Sequence, residues 1–137
     1  MVVANKDRAK AWSNGEEPVQ ILSYGSARVE KGFMAKAVVP AARRALDAAG
    51  ISVDDCKVIK THNPFTANDI YFAREMGVDA ESFNNNGSSL IFGHPQGPTG
   101  ARLIAEGCEE ARQNGGGHVL FAGCAAGDTA AAVVLKV

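Results

Sequence analysis

Apolar residues recur at two different spacings along this chain of 137 residues. A spacing of three or four positions indicates a helix that is buried on one side, whereas a short unbroken apolar run indicates a buried strand. Glycine and proline separate these segments, which is typical of turns. The helical spacing predicts helices over residues 5–12, 40–49, 66–76 and 99–114, with an irregular segment over residues 32–37. In the third helix we expect Thr66 to cap the start with help from Asp69, and the apolar stripe to consist of Ile70, Ala73 and Met76. The apolar runs predict strands over residues 19–29, 57–60, 118–123 and 129–137.

The order of these elements indicates the fold class. Strands alternate with helices along most of the chain, which is typical of an α/β protein with a mostly parallel sheet. The last two strands are too close in sequence for a helical crossover, so we expect them to pair antiparallel. Ligands of such sheets bind to loops beyond the strand ends. His62 follows the second predicted strand and Cys124 lies in the final hairpin, so both are expected on loops above the sheet.

Charge and cysteine content exclude several classes of function. The net charge is −1 and there is no run of Lys or Arg, which argues against a nucleic-acid partner or an anionic membrane surface. No apolar stretch is long enough for a membrane span, and the first residues do not resemble a signal peptide. The three cysteines have no CxxC spacing, which argues against a disulfide framework and a structural metal site and favours the cytoplasm. Cys56 and Cys108, assigned to a strand and a helix interior, are expected to be small core residues.

Two glycine-bounded loops carry the side chains best suited to proton transfer near neutral pH. His94 lies in the segment 93–100, and Cys124 lies in the segment 123–128. Imidazole and thiol groups exchange protons in this pH range, and the neighbouring glycines let backbone N–H groups approach a substrate closely. Residues 97–100 resemble a phosphate loop but lack its lysine and its spacing, so we reject nucleotide binding.

Two further polar segments allow more than one interpretation. Residues 61–65 follow a buried strand, where His62 and Asn63 could donate hydrogen bonds to a carbonyl oxygen. The same residues, before Pro64, are also common in a plain helix entry. Residues 84–89 offer amide side chains to a ligand, or they form an ordinary turn with a glycine at positive φ.

Four motifs follow one another in the second half of the chain: Asn86-Gly87, Phe92-Gly93-His94-Pro95, Gly97 with Gly100-Ala101-Arg102, and Gly123-Cys124 with Gly127. Together they resemble the C-terminal half of a thiolase, and the resemblance extends from Ile21 onward. It implies a half-domain with a five-stranded mixed sheet and helices on both faces. It also implies Claisen condensation of acyl-coenzyme A, or thiolytic cleavage of a 3-ketoacyl-coenzyme A, with the thioester as substrate and no permanently bound cofactor.

The resemblance also implies a role for individual residues. His94 would activate a nucleophilic cysteine, and Cys124 would move the proton of the substrate α-carbon. The backbone N–H of Ala126, where the family usually has glycine, would belong to an oxyanion hole. His62 stands where many thiolases have asparagine and would bind the thioester oxygen directly or through water. The substrate-binding candidates are Phe65, which matches a phenylalanine beside the acyl channel, with Asn63 and Asn86.

One part of a thiolase site has no candidate in this chain. The family acylates a cysteine of its N-terminal half, and Cys56, Cys108 and Cys124 are all assigned otherwise. We therefore expect residues 1–18 to be a linker helix from the junction with that half and residues 19–137 to be the C-terminal domain. The expected partners are an N-terminal half or partner subunit in a homo- or hetero-oligomer, and acyl-coenzyme A. The alternatives are a ketosynthase-like half, which His62 permits, and a non-catalytic subunit that binds acyl-coenzyme A.

Overall fold

A computed structural model describes all 137 residues, which form an α/β structure around a four-stranded sheet. The strands lie in the order β1-β4-β3-β2, and only the pair β2/β3 is parallel. Both pairs that involve β4 are antiparallel. The prediction of a mostly parallel sheet was therefore wrong, because only the connection from β2 to β3 crosses over to a parallel neighbour. The prediction of an antiparallel hairpin between β3 and β4 was confirmed. The strands are β1 (Gln20–Arg28), β2 (Cys56–Thr61), β3 (His118–Ala125) and β4 (Thr129–Lys136).

The expected fifth strand is absent, and the backbone beside β2 shows why. Asn84 runs along the free edge of β2, where its N–H donates to the carbonyl of Ile59. Its side-chain oxygen also accepts from the N–H of Thr61, at 2.7 Å. Asn84 and Asn86 both have positive φ, which bends the chain away from an extended path. The segment therefore contributes one bridging residue to the sheet edge instead of a strand.

Five α-helices and two 3₁₀ turns, at Met34–Ala37 and Val53–Asp55, connect the strands. All four predicted helices are present, while the residues expected to be irregular include the first 3₁₀ turn. The helix α4 was not predicted, since it has only a single turn. None of the helices combines the length and the apolar character needed to span a bilayer. The helices are α1 (Lys6–Trp12), α2 (Val38–Ala49), α3 (Thr66–Met76), α4 (Ser89–Phe92) and α5 (Pro98–Gln113).

The start and the phase of α3 differ from the prediction. Thr66 was expected to cap this helix with help from Asp69, but Thr66 is its first residue and no side chain caps it. Ile70 was expected in the apolar stripe, yet it is exposed. The buried side of α3 instead includes Asn68 and Phe72, which lie one turn apart. The side of α3 that includes the buried Asn68 therefore faces the candidate site.

Helices cover both faces of the sheet, but unequally. On one face, α2 and α3 close the larger core, in which β1 approaches α2 so closely that a Cβ on Gly25 would lie 2.3 Å from the carbonyl oxygen of Ala41. On the other face, α5 packs mainly over β2 and β3, and Leu135 of β4 joins the same small core. There Lys60 is fully buried and forms an ion pair with Glu110, with 2.7 Å between Nζ and Oε2. Beyond α5, the side chains of Ile21 and Tyr24 are exposed.

Candidate active site

The candidate site lies where the two parallel strands end side by side. His62 directly follows β2, and its N–H continues the ladder by donating to the carbonyl of Ala122 at 2.9 Å. Cys124 is the penultimate residue of β3. The prediction that Cys124 lies in the hairpin loop was wrong, because β3 extends two residues further than its apolar run suggested. As a result the Cys124 side chain is buried, with 7% of its surface exposed.

The Cys124 thiol is held between two nitrogen atoms. The Asn68 side-chain amide, from α3, donates to Sγ at 3.3 Å, and His62 Nδ1 lies 3.8 Å from the same sulfur. Burial raises the pKa of the Cys124 thiol, while the hydrogen bond from Asn68 acts to lower it. Burial favours the neutral thiol and the Asn68 amide favours the thiolate, so the group is suited to exchange one proton.

His62 links the thiol to His94. Its Nδ1 lies 3.3 Å from the backbone oxygen of Cys124, and its Nε2 lies 3.1 Å from His94 Nδ1. A carbonyl oxygen only accepts, so this contact is a hydrogen bond in the tautomer of His62 that carries hydrogen on Nδ1. Nε2 then accepts from His94 Nδ1, which leaves the lone pair of His94 on its Nε2. Burial, followed by the proximity of His94, lowers the pKa of His62, so this ring is neutral near pH 7.

His94 stands on an exposed loop that is fixed at one point by α5. Thr99, a buried residue in the first turn of α5, places its Oγ1 2.8 Å from His94 Nδ1. Because the hydroxyl both donates and accepts, this contact suits either tautomer of the ring. Because both contacts engage Nδ1 and His94 is exposed, Nε2 is left without a partner in the chain and can act as a base.

A buried polar network beneath the two histidines orients the His62 loop. Asp69 accepts hydrogen bonds from the Thr61 hydroxyl and from the side-chain amides of Asn63 and Asn84. The side-chain oxygen of Asn63 accepts from the N–H of Ser89 at 3.1 Å. Asn63 was predicted to bind substrate, but both ends of its amide are used within the protein. Its position indicates a part in holding α4 and the His62 loop together.

The remaining predicted site residues lie at different distances from this cluster. Ala126 follows β3 in the hairpin turn, is exposed, and its N–H donates to no acceptor of the chain. Phe65 follows the His62 loop and is exposed. Asn86 is elsewhere, because its side chain faces Glu110 at 3.5 Å, on the α5 face of the sheet. His62, His94 and Cys124 are thus brought into contact, and Asn86 is not among them.

The other two thiols lie outside the cluster. Cys56 is the first residue of β2, at the opposite end from His62, and burial raises its pKa to about 12. Cys108 packs in the smaller core beneath α5, where burial raises its pKa. Cys108 is thus a small core residue as predicted, whereas Cys56 is only partly buried at the edge of the larger core. No group of three or more His, Cys, Asp or Glu side chains is arranged to hold a metal ion.

Sequence reasoning missed three residues of the site: Asn68, Asp69 and Thr99. Asp69 was assigned to a helix cap and Thr99 to a helix start. A signal for Asn68 was nonetheless present, since Asn68 and Phe72 stand on one side of α3 and His62 comes shortly before that helix. A polar residue in line with an apolar one, just after a strand-end histidine, indicates a buried contact at the site.

Comparison with known proteins gives matches over nearly the whole chain. The family model described as "Thiolase, C-terminal domain" matches residues 16–137. The beta-ketothiolase BktB of Cupriavidus necator is 33% identical over 98% of this chain and 34% of its own length. The acetyl-CoA acetyltransferase of Syntrophomonas wolfei is 31% identical over 99% of this chain and 35% of its own length. The chain therefore spans about one third of the length of the curated relatives it matches.

Two solved structures share the fold over nearly the whole chain. The Bacillus anthracis acetyl-CoA acetyltransferase superposes with a TM-score of 0.87 and 28% identity, over 96% of this chain and 33% of that one. The human mitochondrial 3-ketoacyl-CoA thiolase superposes with a TM-score of 0.88 and 28% identity, over 97% of this chain and 34% of that one. At this level of identity the similarity extends beyond the fold class to the order and arrangement of the elements.

Proposed function

Because the chain belongs to the thiolase family, we propose that it supplies the proton-transfer half of a thiolase active site. The reaction is Claisen condensation of acyl-coenzyme A, or its reverse, thiolytic cleavage of a 3-ketoacyl-coenzyme A. The observation that carries this proposal is the contact of Cys124 and His94 with a single bridging residue, His62. Three separate segments of the chain converge there, and each contributes a group that exchanges protons near neutral pH.

Each group has a task that its environment supports. Cys124 takes the α-proton of an acyl thioester, helped by the Asn68 amide that stabilises its thiolate. His94 uses its Nε2 to exchange a proton with the thiol of the nucleophile or of coenzyme A. The free N–H of Ala126 donates to the thioester oxygen as the enolate forms, and one such donor is worth about 3–4 kcal/mol. Phe65 lines the approach of the acyl group.

The same proposal requires a second polypeptide segment that carries the nucleophile. Neither Cys56 nor Cys108 reaches the site, so covalent acyl transfer needs a cysteine from an N-terminal half. The sheet face beside α5 supports the presence of such a half. Ile21 and Tyr24 are exposed there at 52% and 74%, next to strands that α5 leaves uncovered. A helix of the N-terminal half would bury these side chains and bring its cysteine to His94.

Reconstitution with an N-terminal thiolase half tests this function. We expect the assembled protein to cleave acetoacetyl-coenzyme A in the presence of coenzyme A. Substitution Cys124→Ala should reduce kcat about a thousandfold, since it removes a general base. The matched control is Cys108→Ala, which removes a thiol of the α5 core that lies outside the site. Equal activity of the Cys124→Ala and Cys108→Ala proteins would contradict the proposal.

A ketosynthase-like half is the second candidate, favoured by the adjacent rings of His62 and His94, whose centroids are 4.2 Å apart. Two neighbouring imidazoles suit a decarboxylating condensation, in which the loss of carbon dioxide generates the enolate without a base. The Cys124 thiol has no task in that reaction. A requirement for a malonyl thioester, unchanged by Cys124→Ala, would favour this candidate. Acyl-coenzyme A binding without turnover would favour a non-catalytic subunit.

A further inference from the structure

His62 lies between Cys124 and His94, which form no hydrogen bond with each other. Its Nδ1 faces Cys124 Sγ at 3.8 Å, and its Nε2 faces His94 Nδ1 at 3.1 Å. Cys124 is buried, whereas His94 stands on an exposed loop. Both ring nitrogens of His62 are therefore engaged inside the protein, and donation to a thioester oxygen would require the ring to leave His94.

We propose that His62 is a proton relay that carries the Cys124 proton to His94, rather than only a donor to the substrate oxygen. The proposal rests on the thiolase function proposed above, because it connects the two groups assigned to that reaction. It requires the cluster to have two arrangements of hydrogen atoms. In the first, Cys124 is a thiolate, His62 carries hydrogen on Nδ1, and His94 carries hydrogen on Nδ1. In the second, Cys124 is a thiol, and both rings carry hydrogen on Nε2.

The relay closes the proton balance of the condensation without a further acid or base. In the first arrangement, His94 Nε2 takes the proton of the nucleophilic thiol of the N-terminal half, His94 Nδ1 gives its proton to His62 Nε2, and His62 Nδ1 gives its proton to the Cys124 thiolate. The nucleophilic thiolate attacks an acyl-coenzyme A, the carbon–sulfur bond breaks, and the coenzyme A thiolate takes the proton of His94 Nε2. His94 Nδ1 takes the proton of His62 Nε2, and His62 Nδ1 takes the proton of the Cys124 thiol. The new thiolate removes the α-proton of a second acyl-coenzyme A. The enolate carbon attacks the enzyme thioester and releases the first thiolate, which takes the proton of the Cys124 thiol.

One proton thereby moves from the α-carbon to coenzyme A in each turnover, and the cluster returns to its starting arrangement. The environment of His62 supports this transfer between neutral rings. Burial and the neighbouring His94 lower its pKa, which disfavours a doubly protonated ring. Thr99 Oγ1 follows the change, since it accepts from His94 Nδ1 in one arrangement and donates to it in the other.

The ionisable groups in contact within the cluster are Cys124, His62 and His94. Asn68, from α3, is uncharged, and so is Thr99, from α5. Asp69 lies next to Asn68 on α3, but its carboxylate accepts from the network beneath the histidines. The hydrogen positions of the His62 and His94 rings should therefore change when the Cys124 thiol ionises.

Nitrogen-15 histidine NMR of the 137-residue chain tests the relay without any activity. We expect His62 and His94 to change from the Nε2–H to the Nδ1–H tautomer together, in the pH range where Cys124 ionises. His118, at the far end of β3, is the internal control and should not take part. In Cys124→Ala the joint change should be absent. A single tautomer of His62 at every pH, or a joint change that persists in Cys124→Ala, would overturn the proposal.

A second variant separates the relay from a donor role. His62→Asn keeps an amide donor but cannot pass a proton, so in the NMR experiment His94 should no longer respond to ionisation of Cys124. In the reconstituted enzyme, kcat should fall about a hundredfold with little change in KM, as expected for lost proton transfer. Retention of kcat in His62→Asn would overturn the relay and favour the donor role. A joint tautomer change in a chain without thiolase activity would support the relay and count against the proposed function instead.

Discussion

The face of the sheet that packs against α2 and α3 is closed by apolar side chains, whereas the face that packs against α5 includes a buried ion pair and leaves β1 uncovered. The first face is complete within this chain. The second includes the buried Lys60–Glu110 pair beneath α5 and the exposed side chains of Ile21 and Tyr24 on β1. The candidate site lies where the two faces meet, with Cys124 in the larger core and His94 held by Thr99 of α5.

The largest expected effect comes from breaking the ion pair of the α5 face. Lys60→Met leaves Glu110 buried without its cation, so we expect unfolding in urea to show a loss of about 3–5 kcal/mol. The double variant Lys60→Met with Glu110→Leu should recover most of that loss, since an apolar pair of similar size replaces the charges. The control is Arg112→Met, which removes an exposed partner of Glu109 and should cost less than about 1 kcal/mol. Equal losses for Lys60→Met and Arg112→Met would show that the pair is not structural.

The next effect tests how tightly the closed face is packed. Gly25→Ala places a methyl group 2.3 Å from the Ala41 carbonyl oxygen and 2.6 Å from the Ala45 nitrogen, and neither backbone atom can move alone. We expect a loss of about 1–3 kcal/mol in the free energy of unfolding. Ser26→Ala, one residue further on the opposite face, should change it by less than about 0.5 kcal/mol. A stable Gly25→Ala protein would mean that α2 shifts freely over β1.

A smaller effect concerns the point where the faces meet, and it depends on pH. The pKa of His62 is held below its ordinary value of 6.5, chiefly by burial. The unfolded chain therefore binds this proton more readily, so the contribution of His62 to stability is present above pH 6.5 and is lost as the pH falls through the folded-state pKa. In His62→Asn, urea unfolding should depend less steeply on pH between 7 and about 5. The same slope in His62→Asn as in the original chain would contradict this interpretation, and His118→Asn is the control.

The smallest effect on the chain itself is expected at the uncovered strand. Tyr24→Ser should change the free energy of unfolding by less than about 0.5 kcal/mol, because Tyr24 is exposed. Association with an N-terminal half, measured by titration calorimetry, should nonetheless weaken about thirtyfold if this tyrosine is a central contact. Lys57→Ser, on a different strand edge, is the control for a surface change. Unchanged association in Tyr24→Ser would place the N-terminal half on another surface.

The elements with strong apolar periodicity were predictable, and the sheet order was not. The spacing in α2 and α5 fixes which side is buried, because Leu46 and Leu103 repeat with their neighbours at helical intervals. The position of β4 between β1 and β3 depends on pairing between distant segments, which no local pattern encodes. Local spacing also misassigned α3, since a buried Asn68 weakens the apolar stripe that would have shown its orientation.

The candidate residues His94 and Cys124 were visible in the sequence, whereas the residues that contact them were not. His94 and Cys124 stand among glycines where packing does not demand their side chains, so the sequence alone draws attention to them. The contacts of Asn68, Asp69 and Thr99 depend on how α3 and α5 approach the strand ends. Asn86 was grouped with the site because Asn86-Gly87 is one of the motifs of the resemblance, but its backbone has positive φ and its side chain contacts Glu110.

The bend at Asn84 has a consequence for solubility. An open sheet edge offers unpaired N–H and C=O groups that can align with another chain and start edge-to-edge aggregation. On β2 the carbonyl of Ile59 and the N–H of Thr61 are already occupied by the backbone and side chain of Asn84. Asn84, which ends the sheet at β2, therefore also protects this edge from pairing with another chain.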